Sequence, residues 1–185
     1  MNKTIHPAII LLPLILLTIL CFALYFSSHP IPWTNTQLPV ESQKIATVSG
    51  QSVRVEKVID GDTIAVLIDG NKTTVRFIGV NAPETYQGKK SECFAEESFE
   101  YVKNRIEGKY ISLVADDTQE NKDKYERLLR YVMLGDGINL NVELIEKGYA
   151  REYTYKIPYQ QQQEFRSAQA AAKANRFGLW DVCYR

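Results

Sequence analysis

Between residues 58 and 85 the chain reads VIDGDTIAVLIDGNKTTVRFIGVNAPET and passes twice from strand-like alternation to turn-forming residues. Val58 and Ile59 close an alternating run, Asp60-Gly61-Asp62-Thr63 is turn chemistry, and Ile64, Val66 and Ile68 recur with period two, as on one face of a strand. Asp69-Gly70-Asn71 turns the chain again, and Thr73, Val75, Phe77 and Ile78 favour a second pleated stretch over 72–80. Pro83 breaks it, having no N–H to give to a ladder. The pattern predicts a β-meander whose loops bring Asp62, Arg76, Asn81 and Glu84 to one end.

Beyond Thr85 the period lengthens. Phe94, Ser98, Tyr101, Val102, Arg105 and Ile106 fall at helical spacing, with Ser91 as the expected cap and Gly108 as the stop. Residues 110–114 (YISLV) alternate like a strand, 116–124 form a polar loop expected to be solvated, and 128–134 give the next strand with Arg127 at its start. Gly135-Asp136-Gly137 turns into a helix from about Leu140, with Leu144 and Ile145 inward and Gly148 past its end. Tyr149 to Tyr155 reads as a short extended piece. Pro158 opens a last helix running to Asn175, with Phe165, Ala168, Ala172 and Phe177 as its buried side.

The N-terminal pattern differs. Residues 8–26 carry no charge and are rich in Leu and Ile, about the length a helix needs to cross a bilayer core. Two readings compete: a cleaved signal peptide, which would leave the domain secreted, or a retained anchor. The anchor is favoured because the run exceeds a signal h-region and no small-x-small cleavage site follows it. Lys3 and the amino terminus keep residues 1–7 cytoplasmic and place the rest outside the cytoplasm, at the cell surface or in a periplasm. Residues 27–48, with Pro30, Pro32 and Pro39 among Ser, Thr, Asn and Gln, read as an extended tether, and the folded domain begins near residue 49.

Composition narrows the chemistry. Of the 22 basic and 22 acidic residues only Lys3, Lys44 and Glu41 precede the domain, which is therefore almost neutral. A broad polyanion-binding surface is not expected, and any phosphate recognition must be local. His6 and His29 both lie before the domain, so histidine bases and histidine-ligated zinc are excluded within it. Cys93 and Cys183 are the domain's only cysteines, and outside the cytoplasm they are expected to pair, contributing about 4–5 kcal/mol in the chain-entropy model.

What remains is carboxylate and hard-cation chemistry. Asp62 and the Asn81 oxygen suit an ion such as Ca²⁺, Arg76 offers a fork of donors to phosphate, and Glu84 can accept a proton. The alternative reading of the same residues is turn formation, since Asp-Gly and Asn-x-Pro are common in turns. Arg127 has a similar alternative, a surface ion pair with Glu126 or Asp123.

The runs Ile59-Asp60-Gly61-Asp62-Thr63, Val75-Arg76-Phe77-Ile78-Gly79-Val80 and Ala82-Pro83-Glu84-Thr85 resemble the core signature of the staphylococcal nuclease (thermonuclease) family. Residues 123–132 (DKYERLLRYV) resemble its second signature, and the likeness extends from about Ser52 to Trp180 in the family's order. The resemblance implies an α+β fold, a five-stranded OB-fold barrel with about three helices, here preceded by a transmembrane helix. It also implies a monomeric endonuclease that cuts DNA or RNA with Ca²⁺. Position by position it implies Asp62, Asn81 and Ala82 at the cation, Arg76 and Arg127 on the phosphate, and Glu84 as general base. Tyr153 and Tyr155 stand near the family's base-stacking tyrosines, one residue out of step, and packing is the other fate open to them. Asn81 replaces an aspartate, which lowers the expected cation affinity and leaves a catalytically weakened binding module as the alternative. Glu126 stands where the family often has Gly.

Overall fold

The structure, a computed structural model, describes residues 51–85 and 90–184. The expected membrane helix at 8–26 and tether at 27–48 lie outside these. Among the described residues no helix is long and apolar enough to cross a membrane.

Seven strands form among the described residues, β1 (Gln51–Asp60), β2 (Thr63–Ile68), β3 (Asn71–Phe77), β4 (Val80–Asn81), β5 (Tyr110–Val114), β6 (Leu128–Met133) and β7 (Arg151–Glu152). Five close into a barrel in the order β1-β2-β3-β6-β5, and β4 pairs with β7 in a separate ladder. Pairings within the barrel are antiparallel except β3 with β6, where Val75, Arg76 and Phe77 stand beside Leu128, Leu129 and Arg130. This closed barrel with its helices is consistent with the OB-fold.

β1 shows how the sequence curves the sheet. Val53 and Val55 are buried with period two, then the register slips at Lys57 and the next buried residue is Val58. A bulge bends a strand and strengthens its twist. The bend lets one half of β1 pair with β5 and the other with β2.

Four helices are described, α1 (Ala95–Ile106), α2 (Leu140–Glu146), α3 (Gln162–Ala174) and the single turn α4 (Leu179–Val182), which is too short for periodicity to show. Ser91 does not cap α1. Phe94 occupies that place with φ of 70°, no side chain caps the helix, and Glu96 and Glu97 in the first turn complement its positive end. α3 starts at Gln162, four residues beyond Pro158, because the Asp116 carboxylate takes the Gln160 N–H at 2.8 Å and holds the approach in a turn. Phe177 is exposed rather than buried: α3 ends at Ala174, and Arg176 at φ 55° reverses the chain before the helical spacing reaches it. Phe165 does sit in the core, edge-on to Tyr131 and Tyr159, a burial that contributes about 1.5–3 kcal/mol.

Two polar residues are part of the frame. Buried Asn141 donates from Nδ2 to the Ile78 and Arg130 carbonyls and accepts the Val132 N–H, tying α2 to the barrel. Asp116, expected in a solvated loop, is buried and accepts from Thr118, Tyr131 and Gln160, which together hold its carboxyl below the usual range against the cost of burial.

The two cysteines of the domain pair. Cys93 and Cys183 form a disulfide that ties the segment before α1 to the end of α4.

Candidate active site at one end of the barrel

The β1–β2 turn places two carboxylates either side of Gly61. A Cβ there would stand 2.6 Å from that of Ala82, so only glycine lets the turn pack on the β4 segment. Asp62 is buried by this packing, and every contact of its carboxylate is to a donor. Thr63 Oγ1 donates to Oδ1 at 2.9 Å, and the Ala82 N–H donates to Oδ2 at 2.9 Å. Arg76 Nη2 lies 3.0 Å from Oδ2. Register explains this last contact, because Arg76 on β3 stands opposite Thr63 on β2. Burial pushes the Asp62 carboxyl up, with Arg76, Ala82 and Thr63 pulling it back. Arg76 is further fixed by donating from Nη1 to the Phe77 carbonyl at 2.9 Å.

Glu84 stands at the exposed edge of this group. Its backbone is clamped on both sides, since its N–H donates to Glu92 Oε2 at 3.3 Å and its carbonyl accepts the Glu92 N–H at 3.0 Å. Its side chain hydrogen-bonds the Asp60 carboxylate. That bond, partial burial and the Asp60 charge push its carboxyl up to about 7, against the pull of Arg76. Glu84 therefore keeps its proton to higher pH than a solvated carboxyl would.

The structure thus brings Asp62, Arg76, Glu84 and the Ala82 backbone together, and it adds Asp60, which sequence reasoning treated only as a turn former. The signal was present in the Asp-Gly-Asp spacing, two carboxylates flanking a residue that cannot carry a side chain. Ala82 acts through its N–H while its methyl is buried. Asn81, half-buried, stands on β4 opposite Arg151.

Arg127 lies just before β6, where the parallel register sets it beside the stretch of β3 that leads to Arg76. Its guanidinium is held by Asp123, with Nη2 at 2.6 Å and Nε at 2.7 Å from Oδ2. The ion pair given as the alternative for Arg127 therefore forms, with Asp123. Tyr153 and Tyr155 are exposed, with rings 6.5 Å apart, and the Lys156 ammonium lies 5.4 Å from the Tyr155 ring.

The carboxylates of Asp60, Asp62 and Glu84 offer oxygen ligands, which suit a hard cation such as Ca²⁺. The Asp60 charge that helps to raise the Glu84 carboxyl marks a place of negative charge that a cation would relieve. Among the described residues no three acidic, thiol or imidazole groups converge on one point. A cation here would complete its shell with backbone oxygen, water or substrate phosphate.

Comparison with known proteins gives a consistent answer. Residues 74–182 match the family described as staphylococcal nuclease homologue. The thermonuclease of Staphylococcus hyicus is 32% identical over 143 residues, covering 77% of this chain and 83% of that protein. The thermonuclease of Staphylococcus intermedius is 35% identical over 135 residues, covering 72% and 79%. Endonuclease YhcR of Bacillus subtilis is 36% identical over 137 residues, 69% of this chain but 11% of its own length.

Proposed function

Because the chain belongs to the staphylococcal nuclease family, we propose that it hydrolyses phosphodiester bonds of DNA or RNA, outside the cytoplasm, with Ca²⁺ as cofactor. One observation carries this reading. A donor-rich Asp62–Arg76 pair and a glutamate that exchanges its proton near neutral pH stand at the same end of one barrel.

Each group has a part. Glu84, deprotonated, takes a proton from the water whose oxygen attacks phosphorus, and the opposite P–O bond breaks in line. Arg76, oriented by Asp62 and the Phe77 carbonyl, presents its remaining N–H groups to the phosphate as charge builds. Arg127, oriented by Asp123, supplies further donors. Asp60, Asp62 and the Asn81 oxygen would hold Ca²⁺, which when bound polarises a phosphate oxygen. Tyr153 and Tyr155 would stack on bases.

The cysteine pair supports action in an oxidising compartment, and the apolar run at 8–26 supports a membrane anchor there. Cleavage of single-stranded DNA and RNA by the full chain, with Ca²⁺ and with chelator, tests the proposal. Metal-dependent cleavage abolished by Glu84→Gln is expected, and no cleavage at ample Ca²⁺ would reject it. Asn81 favours a second reading, a nuclease-like module that binds without turnover. Calcium titration in the presence of a nucleoside bisphosphate separates binding with hydrolysis from binding alone.

A further inference from the structure

At the C-terminal end of the domain two aromatic rings and two cations form a cluster that the proposed reaction does not use. The Trp180 and Tyr184 rings stack with centroids 5.1 Å apart. The Arg151 guanidinium lies 6.0 Å from each ring, and the Lys173 ammonium 4.5 Å from Trp180. Tyr184 is 59% exposed, leaving ring surface for another flat partner. The Trp180 indole N–H is buried and has no acceptor among the described residues.

The cluster is rigidly set. Gly148 and Gly178 approach so closely that a Cβ on Gly148 would stand 2.1 Å from the Phe177 carbonyl oxygen, and the Leu179 N–H donates to the Gly148 carbonyl at 2.9 Å. The disulfide fixes Cys183, next to Tyr184, to Cys93, next to the Glu92 that clamps the Glu84 backbone.

Its position connects it to the site. Arg151 stands opposite Asn81 in the β4–β7 ladder. The Glu152 carboxylate is met by Tyr159, just before α3, and by Arg166 within it. Tyr153 and Tyr155 follow β7 directly in the chain, and both are exposed. Arg151 thus joins the Trp180–Tyr184 pair to the strand position opposite Asn81.

We propose that Trp180, Tyr184, Arg151 and Lys173 form a second platform for single-stranded nucleic acid, stacking a base on Tyr184 and holding adjacent phosphates with the two cations. The inference rests on the nuclease reading and extends its substrate to a strand of several nucleotides. Stacking on an aromatic ring with cations alongside is how single strands are held without regard to sequence. In an almost neutral domain, such a local pair of cations is what phosphate binding requires.

The test uses the full chain with Trp33→Phe, leaving Trp180 as its one tryptophan, and Glu84→Gln to prevent hydrolysis. Titration with a twelve-nucleotide single strand is expected to quench Trp180 fluorescence, and a trinucleotide is expected to bind without doing so. Tyr184→Ala should raise the Kd of the twelve-mer at least fivefold, the lower end of one stacked base, and leave the trinucleotide unchanged. Lys173→Ala should lower the slope of log K against log salt by about 0.7, one phosphate contact on a single strand.

Equal effects on both lengths, or no quench by either, would overturn the platform. Quenching by phosphatidylglycerol vesicles but not by the twelve-mer would assign the cluster to a lipid surface and also overturn it. Wild-type cleavage is scored separately. Length-dependent quenching without any cleavage would sink the nuclease reading and keep the platform, and cleavage without quenching would do the reverse.

Discussion

Arg76 Nη2 lies 3.0 Å from Asp62 Oδ2, with side-chain exposures of 14% and 4%, so an ion pair is held almost out of water beneath the site. A pair in such surroundings contributes little net stability by itself, because desolvation offsets attraction. Losing one partner is another matter. Arg76→Ala leaves a buried carboxylate with only the Ala82 and Thr63 donors.

That variant should lose about 3–5 kcal/mol at pH 8, measured by urea denaturation. The Asp62 carboxyl is already raised above 3.8, and removing Arg76 raises it further. Between the unfolded and folded values the native state binds the extra proton, so stability falls as pH rises. The loss should therefore be smaller at pH 5 than at pH 8. Equal losses at both would show that the charge is not what Arg76 compensates.

Glu84 and Asp60 make a second, more exposed test. In metal-free protein the Glu84 carboxyl should titrate near 7 by carbon NMR, and Asp60→Asn should move that midpoint back towards 4.5. The same raised value means that its share of stability is present below 4.5 and is lost as pH rises through 7. Asp60→Asn should accordingly narrow the fall in Tm between pH 5 and pH 8. An unmoved Glu84 midpoint would break the link between the two carboxyls.

The contrast between Asp62 and Asp60 shows where the sequence was readable. The meander around Asp62 is written in local periodicity, and the β1–β2 and β2–β3 turns fall where Asp-Gly pairs predict them. Asp60 meets Glu84 across 24 positions, so its role exists only once the β4 segment folds back onto the turn. Asp116 and Asn141 were illegible for the same reason. Nothing in a polar loop or at a helix start says that a carboxylate or amide will be buried against distant N–H groups. Phe177 fits a helical stripe by spacing, and only the reversal at Arg176 removes it.

Asn81→Asp should tighten Ca²⁺ binding. One added charge about 4 Å from a divalent ion contributes roughly 2 kcal/mol at the dielectric of water, about thirtyfold in Kd. Isothermal titration at pH 6.5 in buffers of different ionisation enthalpy checks this. It should also detect proton release on binding, because the cation displaces the proton that Glu84 holds at this pH. An unchanged Kd would place the cation away from Asn81.

The Cys93–Cys183 bond makes the last prediction. It closes a separation of 90 residues, for which chain entropy gives about 4–5 kcal/mol, so the Cys93→Ser, Cys183→Ser protein should unfold at lower urea by up to that amount. The bond also does something local. Cys93 follows Glu92, whose side chain and N–H grip the Glu84 backbone from both sides. Releasing Cys93 loosens that grip while leaving the Asp62–Arg76 pair, held by β2 and β3, in place. Below its unfolding transition the protein without this disulfide should therefore keep its affinity for a nucleoside bisphosphate within about twofold. Its kcat should fall several-fold further than KM changes, as positioning of the base is lost. Steady-state kinetics beside bisphosphate titration measures both, and a parallel loss of affinity and turnover would mean that the bond supports the whole site rather than the Glu84 segment.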